Sequence, residues 1–334
     1  MTRLRTCATA AIMVLGLAAR TNAQCGTAKE VDEVSIAKGH TCVRLRDGAA
    51  KCWGINMNGQ LGDGTTTHRA SPTLVLDLCG VRSISAGGES TCAALADGSV
   101  RCWGLMFSRS ERPLEMRGLG GVTQVVVGTV SACGLHADGT VSCWGGGDKL
   151  RTVDITNVTE LAAWTAQYAA FIGRKADGSV WAIDARLRPA RISIPPARRV
   201  SCGMNKCCAV LEDATATCWD PEDPIAAPVP GLRDVEQIAA GGHRYCAVLR
   251  DRTVRCWDLD GNIGTFGDGT TGDHPLPAPL PALTDVRQIA PGNFNACAIV
   301  GGGALKCWGG PTRFVGMVGD GSAETRLTPV DVAM

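Results

Sequence analysis

Two cysteines ten residues apart recur six times in this chain of 334 residues. The pairs are Cys42 and Cys52, Cys92 and Cys102, Cys133 and Cys143, Cys208 and Cys218, Cys246 and Cys256, and Cys297 and Cys307. Paired thiols can hold a metal, exchange electrons or form a structural crosslink. Zinc sites present cysteines about two to four residues apart, with histidines at similarly short steps. Here the histidines His40, His68, His136, His243 and His274 are scattered. The vicinal Cys207-Cys208 could suggest a redox centre, but Cys208 aligns with the repeat cysteine and leaves Cys207 for a local partner.

The crosslink reading follows from hairpin geometry. In residues 92–104, apolar and β-branched residues flank Asp97-Gly98, a tight-turn signal. A two-residue loop would pair Ala93 with Cys102 and leave Cys92 out of register. A loop of Ala96, Asp97 and left-handed Gly98 pairs Leu95 with Ser99 instead. Cys92 then faces Cys102 at a non-hydrogen-bonded position, where side chains approach most closely. The same count pairs Cys42 with Cys52 and Cys133 with Cys143, and the eroded copies repeat the spacing: Cys208 with Cys218, Cys246 with Cys256, and Cys297 with Cys307. A seventh copy, residues 172–182, carries Ile172 and Ala182 in place of both cysteines, so no thiol is orphaned. Cys25, Cys79, Cys202 and Cys207 remain, with Cys25 to Cys79 and Cys202 to Cys207 the expected pairings.

Residues 1–23 have a basic start, an apolar run over 7–19 and a small-residue end at Ala23. They read as a secretory signal peptide, with a run too short for a membrane span. The mature chain is then one domain, residues 24–334, in an extracellular or periplasmic space. Such an oxidising compartment is what structural disulfides require. Formal net charge is +1 and no basic run follows the leader, so nucleic-acid binding has no electrostatic support.

Helix-period apolar patterns are absent, and short strands alternate with Gly- and Pro-rich turns, so the fold class is all-β. Trp53, Trp103, Trp144, Trp219, Trp257 and Trp308 mark six repeats, and the segment with Trp181 marks a seventh. Seven such units predict a seven-bladed β-propeller with intrablade disulfides. The N-terminus enters its repeat late and the C-terminus runs past its last hairpin, so pairing of N- and C-terminal strands is expected to close the ring. Three repeats carry an insert after the Trp, at residues 59–65, 264–270 and 316–322, each with the core Gly-Asp-Gly.

The Gly-His-Thr-Cys, Asp-Gly, Cys-Trp-Gly and Gly-Gln-Leu-Gly-Asp-Gly-Thr elements of residues 39–65 resemble the repeat of the regulator of chromosome condensation superfamily in a secreted, bacterial, cysteine-bearing form. The resemblance covers essentially the whole mature chain and is weakest in the fourth repeat. It implies a seven-bladed propeller. Members of that family act mostly as protein-binding platforms; one eukaryotic member is a nucleotide-exchange factor, and some secreted bacterial ones resemble β-lactamase inhibitors. Gly242-His243 and Trp257-Asp258 imitate the landmarks of WD repeats, but only one hairpin separates them. Asp97-Gly98-Ser99 and Trp103 resemble the Asp-box of sialidases, which also need an arginine cluster and a nucleophilic Tyr.

No catalytic set, cofactor site or metal site is expected. Asp258, Asp260 and Asn262 imitate a calcium loop, but Ile263 and Gly269 stand where an EF-hand needs Gly and Glu. The leading reading is a secreted, monomeric, non-enzymatic scaffold for a protein ligand, without membrane span or nucleic-acid partner. The alternatives are a propeller hydrolase or lyase acting on extracellular polysaccharide and, by family analogy, a guanine-nucleotide exchange factor. The inserts belong to repeats that become consecutive in a closed ring, so their sector is the expected partner surface. Its candidate contacts are Asn58, His68, Arg69, Asp273, His274, Arg313 and Phe314, and the competing reading is that the inserts only brace adjacent blades.

Overall fold

The computed structural model describes residues 25–145, 148–165, 170–258, 266–310 and 316–334. The chain forms seven four-stranded antiparallel sheets with no helix among these residues, each sheet a blade of a propeller. The blades span residues 31–74, 81–115, 122–153, 158–191, 197–228, 235–279 and 286–332. Within each, strands pair in sequence order, and the seven first strands line the axis.

The central hairpins have the register that the cysteine spacing requires. Leu95 N donates to Ser99 O and Gly98 N to Leu95 O, both at 2.9 Å, and Gly98 has φ +81°. Only a residue without Cβ takes that conformation freely. Cys92 and Cys102 are direct partners with Cα atoms 4.1 Å apart. Cys42 faces Cys52 and Cys297 faces Cys307 at the same 4.1 Å. Cys133 faces Cys143, Cys208 faces Cys218, and Cys246 faces Cys256, each with Cα atoms 4.0 Å apart. All six pairs are bonded within their own hairpin, as the spacing predicts. In blade four Ile172 stands opposite Ala182 in the same register. Cys25 meets Cys79 across 6.0 Å between Cα atoms, and Cys202 meets Cys207 across 4.0 Å.

Each innermost strand departs from simple alternation. Its first and fourth residues are both buried between blades: Val31 and Val34, Val81 and Ile84, Val122 and Val125, and so on to Val286 and Ile289. A spacing of three cannot put two residues on one face of a regular strand. A β-bulge at the second residue of all seven strands resolves this. The extra residue re-aims the third side chain toward the next blade.

The ring closes differently from the expected pairing of terminal strands. Arg326–Val332 is the outer strand of blade seven, paired with Ala304–Gly309, and Val31–Ile36 is the inner strand of blade one. Among the described residues no sheet mixes the two ends. Instead Val31 N donates to Gly303 O at 2.8 Å, from the first strand of blade one to the hairpin turn of blade seven. The same bond joins every successive pair of blades, as in Val81 N to Gly48 O at 2.8 Å and Val286 N to Arg252 O at 3.0 Å. A chain that completes each blade before starting the next needs no shared strand, and the closing junction repeats the other six.

Candidate functional site

The bulged strands surround an axial channel with a cavity of about 570 Å³. Its third-position residues are Glu33, Ser83, Gln124, Glu160, Arg199, Gln237 and Gln288. Five of them bond closely to the backbone of the following blade, and Glu160 also accepts from the Val200 backbone. Gln288 Oε1 accepts from Val34 N at 3.1 Å while its Nε2 donates to Val34 O at 3.2 Å. Gln237 clasps Ile289 and Gln124 clasps Leu161 in the same two-ended way. Glu33 accepts from Ile84 N at 3.2 Å, and Ser83 from Val125 N at 3.4 Å. Arg199 has no acceptor to offer, and at that junction Ser201 Oγ takes Ala240 N at 3.0 Å.

The channel carboxyls are not ordinary. Burial pushes Glu33 up to about 7 against the opposing pull of Arg44, whose Nε lies 3.4 Å away. Burial also raises Glu160, opposed by Arg174 at 3.1 Å and Arg199 at 3.9 Å. Between blades one and two, burial holds His40 down to about 4, so its imidazole is neutral at pH 7 and bonds Thr91 Oγ1 at 2.9 Å.

These shifts have opposite linkage. His40 titrates at 6.5 unfolded and about 4 folded, so the unfolded chain binds more protons in that window and stability falls as pH falls. Glu33 titrates at 4.5 unfolded and about 7 folded, so its contribution is present in acid and fades as pH rises between those values. We expect His40→Gln to gain stability relative to wild type as pH drops from 6.5 to 4.5, and Glu33→Gln to lose it. Urea midpoints across that window test this; parallel profiles for all three proteins would refute both assignments.

The three Gly-Asp-Gly inserts each reach the Trp of the next blade. Trp103 Nε1 donates to Gln60 O at 2.8 Å, Trp308 to Phe266 O at 3.0 Å, and Trp53 to Met317 O at 3.2 Å. Leu61 fills the space over the rung of Cys42 and Cys52, Phe266 over that of Cys246 and Cys256, and Val318 over that of Cys297 and Cys307. Buried Asn56 organises the first insert: its Nδ2 donates to Asp63 Oδ1 and Thr65 O, and its Oδ1 accepts from Leu61 N.

This placement revises the expected partner contacts. Arg69 Nε donates to Asp63 Oδ2 at 2.7 Å, and its counterpart Arg326 to Asp320 Oδ2 at 2.6 Å. His274 Nε2 lies 3.1 Å from Asp268 Oδ2, with its ring stacked on Phe266. His68 Nδ1 accepts from Asn56 N at 2.9 Å. These three side chains hold their own loops, so replacing them would alter the loops' support as well as any contact surface. Burial works to raise Asp63, but the hydrogen bonds from Thr65 and Arg69 outweigh it and leave the carboxyl below its usual range. Asn58 bridges to Glu89 of blade two at 2.6 Å, and Asp273 is exposed. Arg313 and Phe314 lie outside the described residues, as do Asp260, Asn262 and Ile263 of the calcium comparison. The clasp residues were missed from sequence, although the three-residue apolar spacing beside them signals the bulge.

Among the described residues no group of three or more His, Cys, Asp or Glu is placed to hold a metal ion. No described helix is long and apolar enough to cross a membrane.

The family described as "Regulator of chromosome condensation (RCC1) repeat" matches residues 47–94, and a second description of that repeat matches residues 81–108. Yeast RCC1 (Prp20), solved bound to Kap60, superposes with TM-score 0.71 at 17% identity, over 92% of this chain and 85% of that one. Prp20p from Saccharomyces cerevisiae, reported with its binding to Gsp1p and histones, gives 0.72 at 16% identity over 92% and 88%. The CRINKLY WD40 ectodomain of the Arabidopsis thaliana receptor kinase ACR4 gives 0.56 at 17% identity over 84% and 96%. The chain is thus a seven-bladed β-propeller whose residues 47–108 match the regulator of chromosome condensation repeat and whose fold is that of RCC1 over most of its length.

Proposed function

We propose that this protein is an exported, non-enzymatic propeller that holds a protein ligand on its loop face. The observation that carries this reading is the use of the channel's polar side chains. A glycan-cleaving propeller needs a converging set of acids and arginines at its axis; here Glu33, Gln124, Gln237 and Gln288 are committed to neighbouring backbone, and Glu160, Arg199, Glu236 and Arg287 are charged groups left on the channel wall. The reading places recognition on the rigidly supported outer surface, where loops on a fixed scaffold commonly carry binding residues. The yeast RCC1 structures, described with Kap60 and with Gsp1p and histones, support the use of such a ring as a protein-binding platform. The signal peptide over residues 1–23 and the eight cysteine pairs support export.

On this reading, the raised sector of blades six, seven and one presents Asn58 and Asp273, with Arg313 and Phe314 as further candidates from the sequence alone, while His68, Arg69 and His274 keep its loops in shape. The test is capture of secreted and surface proteins by the purified chain of residues 24–334, followed by affinity measurement on the recovered protein. A saturable ligand weakened about tenfold, or 1.4 kcal/mol, by combined Asn58→Ala and Asp273→Ala is the expected result. Cleavage of an extracellular polysaccharide that is abolished by Glu33→Gln or Glu160→Gln would replace the scaffold reading with an enzymatic one.

A further inference from the structure

Four blades carry a plug residue over their central rung. Leu61, Phe266 and Val318 come from the long inserts, and Phe107 of blade two packs with Cys92, Cys102 and Trp144. In blade four the cysteines are replaced by Ile172 and Ala182, and the connection after the rung is the short turn at Asp184–Arg188. Among the described residues no plug joins the cluster that contains Ile172, Ala182 and the next blade's Trp219. In its place lies an apolar pocket of about 350 Å³, lined by Trp164, Ile172, Ala182, Ile183, Pro221 and Glu222 among others. Trp219 is 1% exposed, and its indole N–H has no acceptor among the described residues. The counterparts that follow a long insert, Trp53, Trp103 and Trp308, donate to insert carbonyls, while Trp144, which follows the short connection with Phe107, likewise has no acceptor among the described residues.

We propose that the pocket between blades four and five is the seat for an apolar side chain on a glycine-rich loop of a partner protein. The occupant's chemistry is set by what fills the equivalent seats inside this chain. In the three insert seats an aliphatic or aromatic side chain lies on the rung, the residue after it is a glycine against the next blade's indole, and a backbone carbonyl accepts the indole proton. A partner loop of the same kind would supply the brace that blade four lacks. The missing rung belongs to the same device, because Ile172 and Ala182 offer the incoming side chain an apolar floor. This inference rests on the reading of the chain as a binding scaffold and gives it an anchor on the side of the ring away from the long inserts.

The probe is a cyclised peptide of residues 56–69, which contains the plug Leu61 and the stabilising Asn56, Asp63 and Arg69. Titration into the full mature chain should show one saturable site, and a Leu61→Asp peptide should bind at least about tenfold more weakly, equivalent to 1.4 kcal/mol. Ala182→Phe, which fills the pocket from its own floor, should abolish binding while leaving the melting temperature unchanged or higher. Absence of saturable binding, or equal binding to wild type and Ala182→Phe, overturns the proposal. Should Ala182→Phe fail to fold, Ala185→Trp at the pocket rim gives the same decision. The scaffold reading is judged separately: a natural ligand retained by the filled variant leaves that reading standing and removes this seat. A peptide that binds when no natural ligand exists does the reverse.

Discussion

Unfolded, reduced and alkylated at its cysteines, the protein is expected not to regain its fold when denaturant is removed. Each of the six hairpin crosslinks joins residues ten apart. Closing a loop of that size removes about 3 kcal/mol of unfolded-chain entropy in the chain-entropy account, which is model-dependent. Two or three such losses already match the net stability of about 5–15 kcal/mol usual for a folded protein. The contributions are not additive, but the margin is wide enough to fix the sign. Tryptophan fluorescence and near-ultraviolet dichroism after refolding should report a collapsed, unstructured chain, while the oxidised protein recovers. Peptide mapping of the oxidised protein without reductant should recover Cys52 with Cys42, Cys102 with Cys92, Cys143 with Cys133, Cys218 with Cys208, Cys256 with Cys246, and Cys307 with Cys297. Full recovery of the alkylated chain with an unchanged denaturation midpoint would show that strand packing alone suffices, and bridges between blades would overturn the register.

Gly319→Ala should destabilise the protein by about 3 kcal/mol or more, the range of strained backbone combined with overpacking. Gly319 has φ +88°, and a Cβ there would stand 2.6 Å from Trp53 Nε1. Trp53 is fully buried, so neither side can yield cheaply. Gly62 and Gly267 face Trp103 and Trp308 in the same way. Two controls separate the causes. Gly121 has φ +69° but nothing within 4 Å of its Cβ position, so Gly121→Ala should cost only the left-handed penalty of about 1–2 kcal/mol. Gly120, with equally open surroundings and no left-handed backbone, should tolerate alanine at almost no cost. Equal losses at Gly319 and Gly121 would mean that indole contact contributes nothing.

The hairpins were legible because a strand has period two. Once the Asp-Gly turn is assigned, the count from Cys92 to Cys102 admits one register, and the structure has it. The count of blades followed from the Trp markers for the same reason. The interblade clasp was not legible, since its members are Glu, Ser and Gln, and their partners are backbone groups 37 to 254 residues away. A hydrogen bond to main chain leaves no residue type to recognise on the backbone side. Ring closure differs from the sequence expectation because the late entry of the N-terminal strand implies pairing with the C-terminal strand, whereas Val31–Ile36 is itself the innermost strand of a whole blade. The roles of Arg69 and His274 lay between these cases. Each follows its insert Asp by six residues, as Arg326 follows Asp320, and that recurrence distinguishes an internal staple from a variable contact surface.

Because every blade starts and ends at the same structural point, its coding segment corresponds to one complete mechanical part. Duplication or loss of such a segment adds or removes a whole sheet without leaving an unpaired strand at either cut. The bond from the first residue of one blade to the turn of its predecessor is main chain to main chain, so a newly inserted copy finds its neighbours whatever its side chains are. Blade four shows how far a copy can then drift, having lost its crosslink and its long loop while keeping its place in the circle. The architecture thus tolerates divergence blade by blade, which leaves individual sectors free to acquire separate tasks.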